Sequence, residues 1–220
     1  MELGQSWCFD VLHKYLFAGK RVAVVPFAFR DHDVYDAAGW DALYGPEKGI
    51  YYQLNMNGLT DHGIRPKDIV WVNYFRDSPL MAQMKLAAAD IIYLLGGLPH
   101  RAYERVVEYG LDDIIRSHRG VVMAYSAGAL ITLDKYLISP DNDYPVYEMR
   151  RGLGLIDSFG IEVHFGMYDY QEECIKRYLR ETGLPVYAIG DDGAIIAQDG
   201  RVSVHGNVTY FPAKHPHGLF

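Results

Sequence analysis

The sequence predicts an α/β architecture: a doubly wound, mostly parallel sheet with helices on both faces and an antiparallel meander at the C-terminal end. Short apolar runs rich in Val and Ile recur along the chain, and segments with helical spacing lie between them. The last part of the chain instead reads as short strands divided by turns carrying Asp and Gly.

The first run, Arg21–Phe27 (RVAVVPF), lacks the polar alternation of a half-exposed strand, as suits a strand buried on both faces. Helical stretches follow around Tyr35–Leu43 and Tyr51–Leu59, joined at Gly45-Pro46. Asp68–Tyr74 (DIVWVNY) is the second buried strand, and Leu80–Ala89, rich in Leu, Met and Ala, is a helix. Asp90–Leu95 (DIIYLL) is the third strand. His100–His118 places Val106, Val107, Leu111, Ile114 and Ile115 at steps of three and four, which predicts one helix. Gly120–Tyr125 (GVVMAY) is the fourth strand. Beyond it, Leu130–Leu137 reads as helix and Tyr144–Gly154 as a hairpin or loop. Gly160–Phe165 alternates like a strand, and Tyr170–Thr182 is amphipathic and helical. Strands at Pro185–Ile189, Ala194–Ala197 and Arg201–His205 complete the chain, with turns expected at Asp191-Asp192-Gly193 and Asp199-Gly200. Strand–helix–strand repetition of this kind implies right-handed crossovers.

Nothing rich in Ser, Pro or Gly divides the 220 residues, so a single domain over 1–220 is expected. The net charge of −7 and the absence of a Lys/Arg run speak against a nucleic-acid surface. Two cysteines, Cys8 and Cys174, are too few for a disulfide framework and lie in no metal-ligand spacing, which suits a reducing compartment. The first residues show no signal-peptide pattern, and no apolar run approaches the roughly 20 residues a membrane span needs. The expectation is a cytoplasmic protein that needs no cofactor, binds neither membrane nor nucleic acid, and acts on a small molecule. A homodimer is compatible with such a fold.

The chemistry centres on G-V-V-M-A-Y-S-A-G-A-L-I, residues 120–131. Here a buried strand turns sharply into a helix at Ser126, among Ala124, Ala127, Gly128 and Ala129. A tight turn of this kind needs small neighbours. It lifts its central side chain out of the sheet and leaves the first helical N–H groups without internal acceptors. Two roles suit the serine: a nucleophile whose oxyanion is received by the Ala127 N–H, or a cap for the helix.

A nucleophilic serine needs a base, and the base needs an acceptor to fix its tautomer. His164 ends the alternating strand, and Asp191 and Asp192 follow the strand Pro185–Ile189. In an open α/β sheet reactive groups collect outside the carboxyl ends of the strands, where Ser126, His164 and Asp191 all fall. A second oxyanion donor would come from Gly96-Gly97, after the third strand. Each residue also has a plain structural role: a satisfied strand histidine, a solvated acidic turn, a tight glycine turn.

Four stretches, A-D-I-I-Y-L-L-G-G (89–97), G-V-V-M-A-Y-S-A-G-A (120–129), G-L-G-L-I-D-S-F-G-I-E-V-H-F (152–165) and A-I-G-D-D-G-A-I-I (188–196), stand in the order found in one known family. Over roughly residues 20–200 the chain resembles the aspartyl dipeptidase (dipeptidase E) and cyanophycinase family of serine peptidases. The resemblance implies a class I glutamine amidotransferase-like fold with serine as nucleophile, and cleavage of peptide bonds next to an acidic residue. It gives Ser126 the nucleophile's part, His164 the base's, Asp191 the acid's, and Gly97 and Ala127 the oxyanion donors', with Asp192 as an alternative acid. The sequence departs from the family at three points. Leu98-Pro99-His100 follows the glycine pair in place of asparagine, Gly166-Met167-Tyr168-Asp169-Tyr170 stands where many members carry arginines, and the acid is aspartate rather than glutamate.

Three rival readings remain. An α/β-hydrolase esterase would draw its base from His205, His215 or His217. A binding module would keep the elbow without the chemistry. A metal-dependent hydrolase would use His215 and His217.

Overall fold

The computed structural model describes residues 6–213. The chain forms two compact units, dividing after Ala129.

The first unit holds a four-stranded parallel sheet of β1 (Val22–Val25), β2 (Ile69–Trp71), β3 (Ile91–Leu94) and β4 (Val121–Ala124), in the order β2-β1-β3-β4. Every residue of β1 and β3 is buried, which is why their sequences show no polar alternation. Val22, Val24, Ile91 and Tyr93 share one core with Leu16, Trp40, Leu59 and Ile64, drawn partly from α2 (Ala37–Tyr44) and α3 (Ile50–Asp61). The alternate residues Ala23, Ile92 and Leu94 point to the other face. They are fully buried, as is Leu86 of α4 (Pro79–Ala87). A helix α1 (Ser6–Leu12) precedes the sheet. Local chemistry sets the helix starts. Asp36 accepts from Gly39 N at the head of α2, and Ser78 accepts from Met81 N ahead of Pro79 at the head of α4.

Residues 100–118 form two helices rather than the single one expected, α5 (Pro99–Glu108) and α6 (Asp112–Ser117). Gly110 adopts a φ of 62° and ends the first of them. Its N–H bonds Val107 O while Leu111 N bonds Val106 O, the paired closure of a Schellman motif. The apolar period continues across the break because Leu111 and Ile115 are buried all the same.

The second unit differs from expectation at both ends. After Ser126 the helix α7 (Ala127–Ile131) is only five residues long, and Lys135–Ile138, expected to be helical, is a strand, β5. Its antiparallel partner is β6 (Glu148–Arg151), inside the segment expected to be a hairpin or loop. The carbonyls of Ile131, Thr132 and Leu133 accept from Leu153, Leu155 and Gly154, so their hydrogen bonds go to residues 153–155 instead of along a helix.

The remaining sheet has the order β7-β8-β9, with β7 (Gly160–Val163) parallel to β8 (Val186–Gln198) and β8 antiparallel to β9 (Arg201–Phe211). Cys174, Ile175 and Tyr178 of α8 (Asp169–Thr182) pack with Leu137, Phe165, Val186 and Ala188. The Asp199-Gly200 turn lies where expected, with φ of 52° and 70°, as a hairpin turn with two left-handed residues requires. Asp191-Asp192-Gly193 is not a turn. These residues lie within the continuous strand β8, where the pairing with β9 slips between Ile189 and Gly193. A bulge of this kind bends a strand and re-aims its side chains.

Candidate active site

Ser126 follows β4 and opens α7 with a φ of 50°. Left-handed backbone is uncommon for serine, whereas a capping serine takes extended backbone. This favours the elbow over the cap. The small neighbours have specific causes. A Cβ at Gly128 would collide with the Leu94 carbonyl oxygen, which already accepts from Tyr125 N at 3.0 Å. A Cβ at Gly96 would lie 3.1 Å from both Ser126 Cβ and Tyr125 Cδ1. The end of β3 therefore runs directly beneath the serine turn. Ala127 is buried in the first turn of α7.

Gly97 has a φ of 134°, a region that side chains rarely enter, and a Cβ there would strike the Ala28 carbonyl oxygen. That oxygen accepts from Leu98 N at 2.6 Å, so the strand-end loops after β1 and β3 are tied together. Arg105, buried in α5, fixes the other side of the tie. Its Nη1 donates to Phe27 O (2.7 Å) and Phe29 O (2.8 Å), its Nη2 donates to Asp31 Oδ1 (2.5 Å), and its guanidinium lies 3.6 Å from the centre of the Phe29 ring. Gly97→Ala should cost about 3 kcal/mol from backbone strain and the collision together. The loss would appear as a lower urea midpoint at unchanged slope; an unchanged midpoint would contradict this account of Gly97.

In the second unit His164 follows β7, also left-handed at a φ of 53°. Its Nδ1 lies 2.6 Å from Asp191 Oδ1, in the bulged part of β8. The two side chains are 48% and 83% exposed, so as an ion pair they contribute little to stability. The value of the contact is directional: it sets Nδ1 of the ring toward the Asp191 carboxylate. Phe165 N bonds Ile189 O at 2.9 Å, which holds the histidine turn against the same strand.

Beneath this turn lies Glu162, 3% exposed. Burial pushes its carboxyl up from the ordinary 4.5 to about 7, against a lowering by the Gln171 amide that bonds it. Between these two values the unfolded chain releases a proton that the folded chain keeps. Stability is therefore full below about pH 4.5 and falls as pH rises toward 7. At about 1.4 kcal/mol per pH unit, the loss approaches about 3 to 4 kcal/mol above neutrality. Glu162→Gln should remove this slope and make the chain more stable than the parent at alkaline pH. Urea midpoints for both proteins in acid and alkaline buffer check it, and equal slopes would contradict it.

Ser126, Ala127 and Gly97 thus fall in the first unit, and His164, Asp191 and Asp192 in the second. The structure joins His164 to Asp191 and sets Gly96 against Ser126; Asp192 is exposed on β8. His205 lies on β9 with Nε2 3.1 Å from Ser203 Oγ, while His215 and His217 lie outside the described residues. Among the described residues no three His, Cys, Asp or Glu side chains group as a metal site, and no helix is long and apolar enough to cross a membrane. Cys8 and Cys174 are buried and unbridged. Sequence reasoning missed Arg105, Glu162 and Gln171. Glu162 alone left a trace, as an acid within an otherwise apolar strand.

A parallel α/β sheet with a left-handed serine at a strand end, beside a glycine turn, and a separate histidine–aspartate pair suit a serine hydrolase. The chain belongs to peptidase family S51, whose family model matches residues 6–205. It is 26% identical over 208 residues to peptidase E of Streptomyces coelicolor, covering 90% of this chain and 76% of that one. Its fold is similar to a candidate peptidase E from Listeria monocytogenes EGD-e, with a TM-score of 0.61 and 19% identity over 90% of this chain and 91% of that one. It is also similar to a peptidase from an acI-B1 actinobacterium, with a TM-score of 0.60 and 16% identity over 90% and 83% of the two chains. The chain is accordingly a serine peptidase, and the expected α/β fold agrees with these neighbours.

Proposed function

We propose that this peptidase is a small-peptide exopeptidase of the dipeptidase type, working through Ser126, His164 and Asp191. The observation that carries the reading is the 2.6 Å contact between His164 Nδ1 and Asp191 Oδ1, which supports giving Nε2 the base's part. The left-handed Ser126 supports it independently.

In this mechanism the Ser126 hydroxyl gives its proton to Nε2 of His164 as Oγ attacks the scissile carbonyl. The carbonyl oxygen becomes an oxyanion and is received by the N–H groups of Gly97 and Ala127. The imidazolium, stabilised by Asp191, protonates the departing amine, and the C–N bond breaks to leave an acyl-serine. Water then attacks that ester with His164 again as base, and the acid product leaves as the serine regains its proton. Each oxyanion donor is worth on the order of 3 kcal/mol in the transition state.

Substrate size is tested with a library of dipeptides varied at the first residue, run beside a protein-length substrate such as casein and read by mass spectrometry. Hydrolysis of dipeptides without fragmentation of casein is expected. Cleavage of casein at internal bonds, or hydrolysis of no dipeptide by folded protein, would overturn the exopeptidase reading.

A further inference from the structure

The turn that carries His164 is strained at two points: His164 has a φ of 53° and Met167 a φ of 58°. Neither is glycine, so left-handed backbone costs energy at both and needs support from neighbouring structure. Beside the Phe165 N–H bond to Ile189 O, that support includes one side chain. Gln171, 5% exposed at the start of α8, reaches back across the turn and uses both ends of its amide. Its Oε1 accepts from Gly166 N at 2.9 Å. Its Nε2 donates to the His164 carbonyl at 3.1 Å and to Glu162 Oε1 at 3.1 Å. The Gly166 N–H can be bonded only by the amide oxygen, and the His164 carbonyl only by the amide nitrogen, so the orientation of the group is determined. One buried amide thus holds the backbone on both sides of Phe165 and ties it to β7 through Glu162.

We infer that Gln171 is a positioning residue for the histidine base, acting by locking the His164–Gly166 backbone so that the ring meets Asp191 on one side and presents Nε2 on the other. This inference rests on the triad reading above. The His164 and Asp191 side chains are 48% and 83% exposed, so the aim of the ring depends on the backbone that carries it. A serine–histidine proton transfer tolerates little misplacement, and an error of about 1 Å costs on the order of a hundredfold in rate. Gln171 touches no reacting atom in this scheme. Its loss should therefore appear in kcat and leave substrate binding alone.

The test uses Gln171→Met, which keeps the length but has no amide, and Gln171→Glu, which keeps the acceptor for Gly166 N–H and loses the donor to the His164 carbonyl. Each is assayed for kcat and KM on the best dipeptide, with the folded fraction measured by circular dichroism on the same samples. In both variants kcat per folded molecule should fall about 10- to 100-fold while KM stays within about twofold. A double exchange, Glu162→Gln with Gln171→Glu, restores an amide–carboxylate bond between the two positions without restoring the donor to His164. Assayed at alkaline pH, where the new carboxyl is ionised, it should regain thermal stability over Gln171→Glu but not rate. Parent-like kcat per folded molecule in any of the three variants would overturn the inference. So would a loss of rate no larger than the loss of folded protein. Ser126→Ala, run alongside, separates this failure from that of the triad: if it remains active, the mechanism falls; if it is inactive while the Gln171 variants are normal, only the role of Gln171 falls.

Discussion

Ser126→Ala should leave the chain folded and lower peptidase turnover by about 10⁴-fold or more. The substitution removes one oxygen and keeps the Cβ that sits against Gly96, so the turn loses no packing atom other than Oγ. Alanine at a φ of 50° is strained no more than serine already is. The unfolding free energy from urea titration should differ from the parent's by less than about 1 kcal/mol, as for a change outside the core. Residual turnover would come from the oxyanion donors acting on attack by water, an effect far smaller than covalent catalysis. Substrate binding, measured by calorimetry on the variant, should be close to the parental KM. Turnover within tenfold of the parent would remove Ser126 from the mechanism.

Asp191→Asn should reduce kcat by about 10²- to 10⁴-fold, whereas Asp192→Asn should stay within about threefold of the parent. In the proposed mechanism Asp191 accepts from a proton-bearing Nδ1 of His164, and Nε2 takes the base's part. Asparagine offers an NH₂ as readily as an oxygen, which favours the opposite tautomer and places the proton on Nε2. The charge that stabilises the imidazolium is lost as well. Asp192 is adjacent on β8, and neighbouring strand residues point to opposite sides. The bulge between Ile189 and Gly193 decides which of the two carboxylates faces the histidine. Kinetics of the two single variants on the same dipeptide check the assignment; equal losses, or a larger loss for Asp192→Asn, would contradict it.

The parallel sheet was legible because β1 and β3 are buried on both faces, and complete burial leaves an unbroken apolar run. Ser126 was legible because crowding by β3 forces its neighbours to be small, and composition records that demand directly. His164 could be placed at a strand end from alternation alone. What escaped depends on contacts distant in sequence. Lys135–Ile138 suits helix or strand by local preference, and pairing with Glu148–Arg151 decides it. The bulge at Asp191 follows from a slip against β9, which no local signal encodes. Arg105 reaches backbone 76 to 78 residues away, so its polar head gave no hint of a buried role. Gln171 is near His164 in sequence, yet a helix-start glutamine reads as surface until the fold turns it inward. Gly110 was visible, but the apolar period running through it hid the break.

The most direct test of the serine–histidine chemistry is the site and rate of labelling by a fluorophosphonate, located by peptide mass spectrometry in the parent, His164→Ala and His205→Ala. A single adduct on Ser126 is predicted, forming at least about a hundredfold more slowly in folded His164→Ala and at the parental rate in His205→Ala. An adduct on any other residue, or labelling of Ser126 as fast without His164 as with it, would contradict the proposed pairing of serine and base.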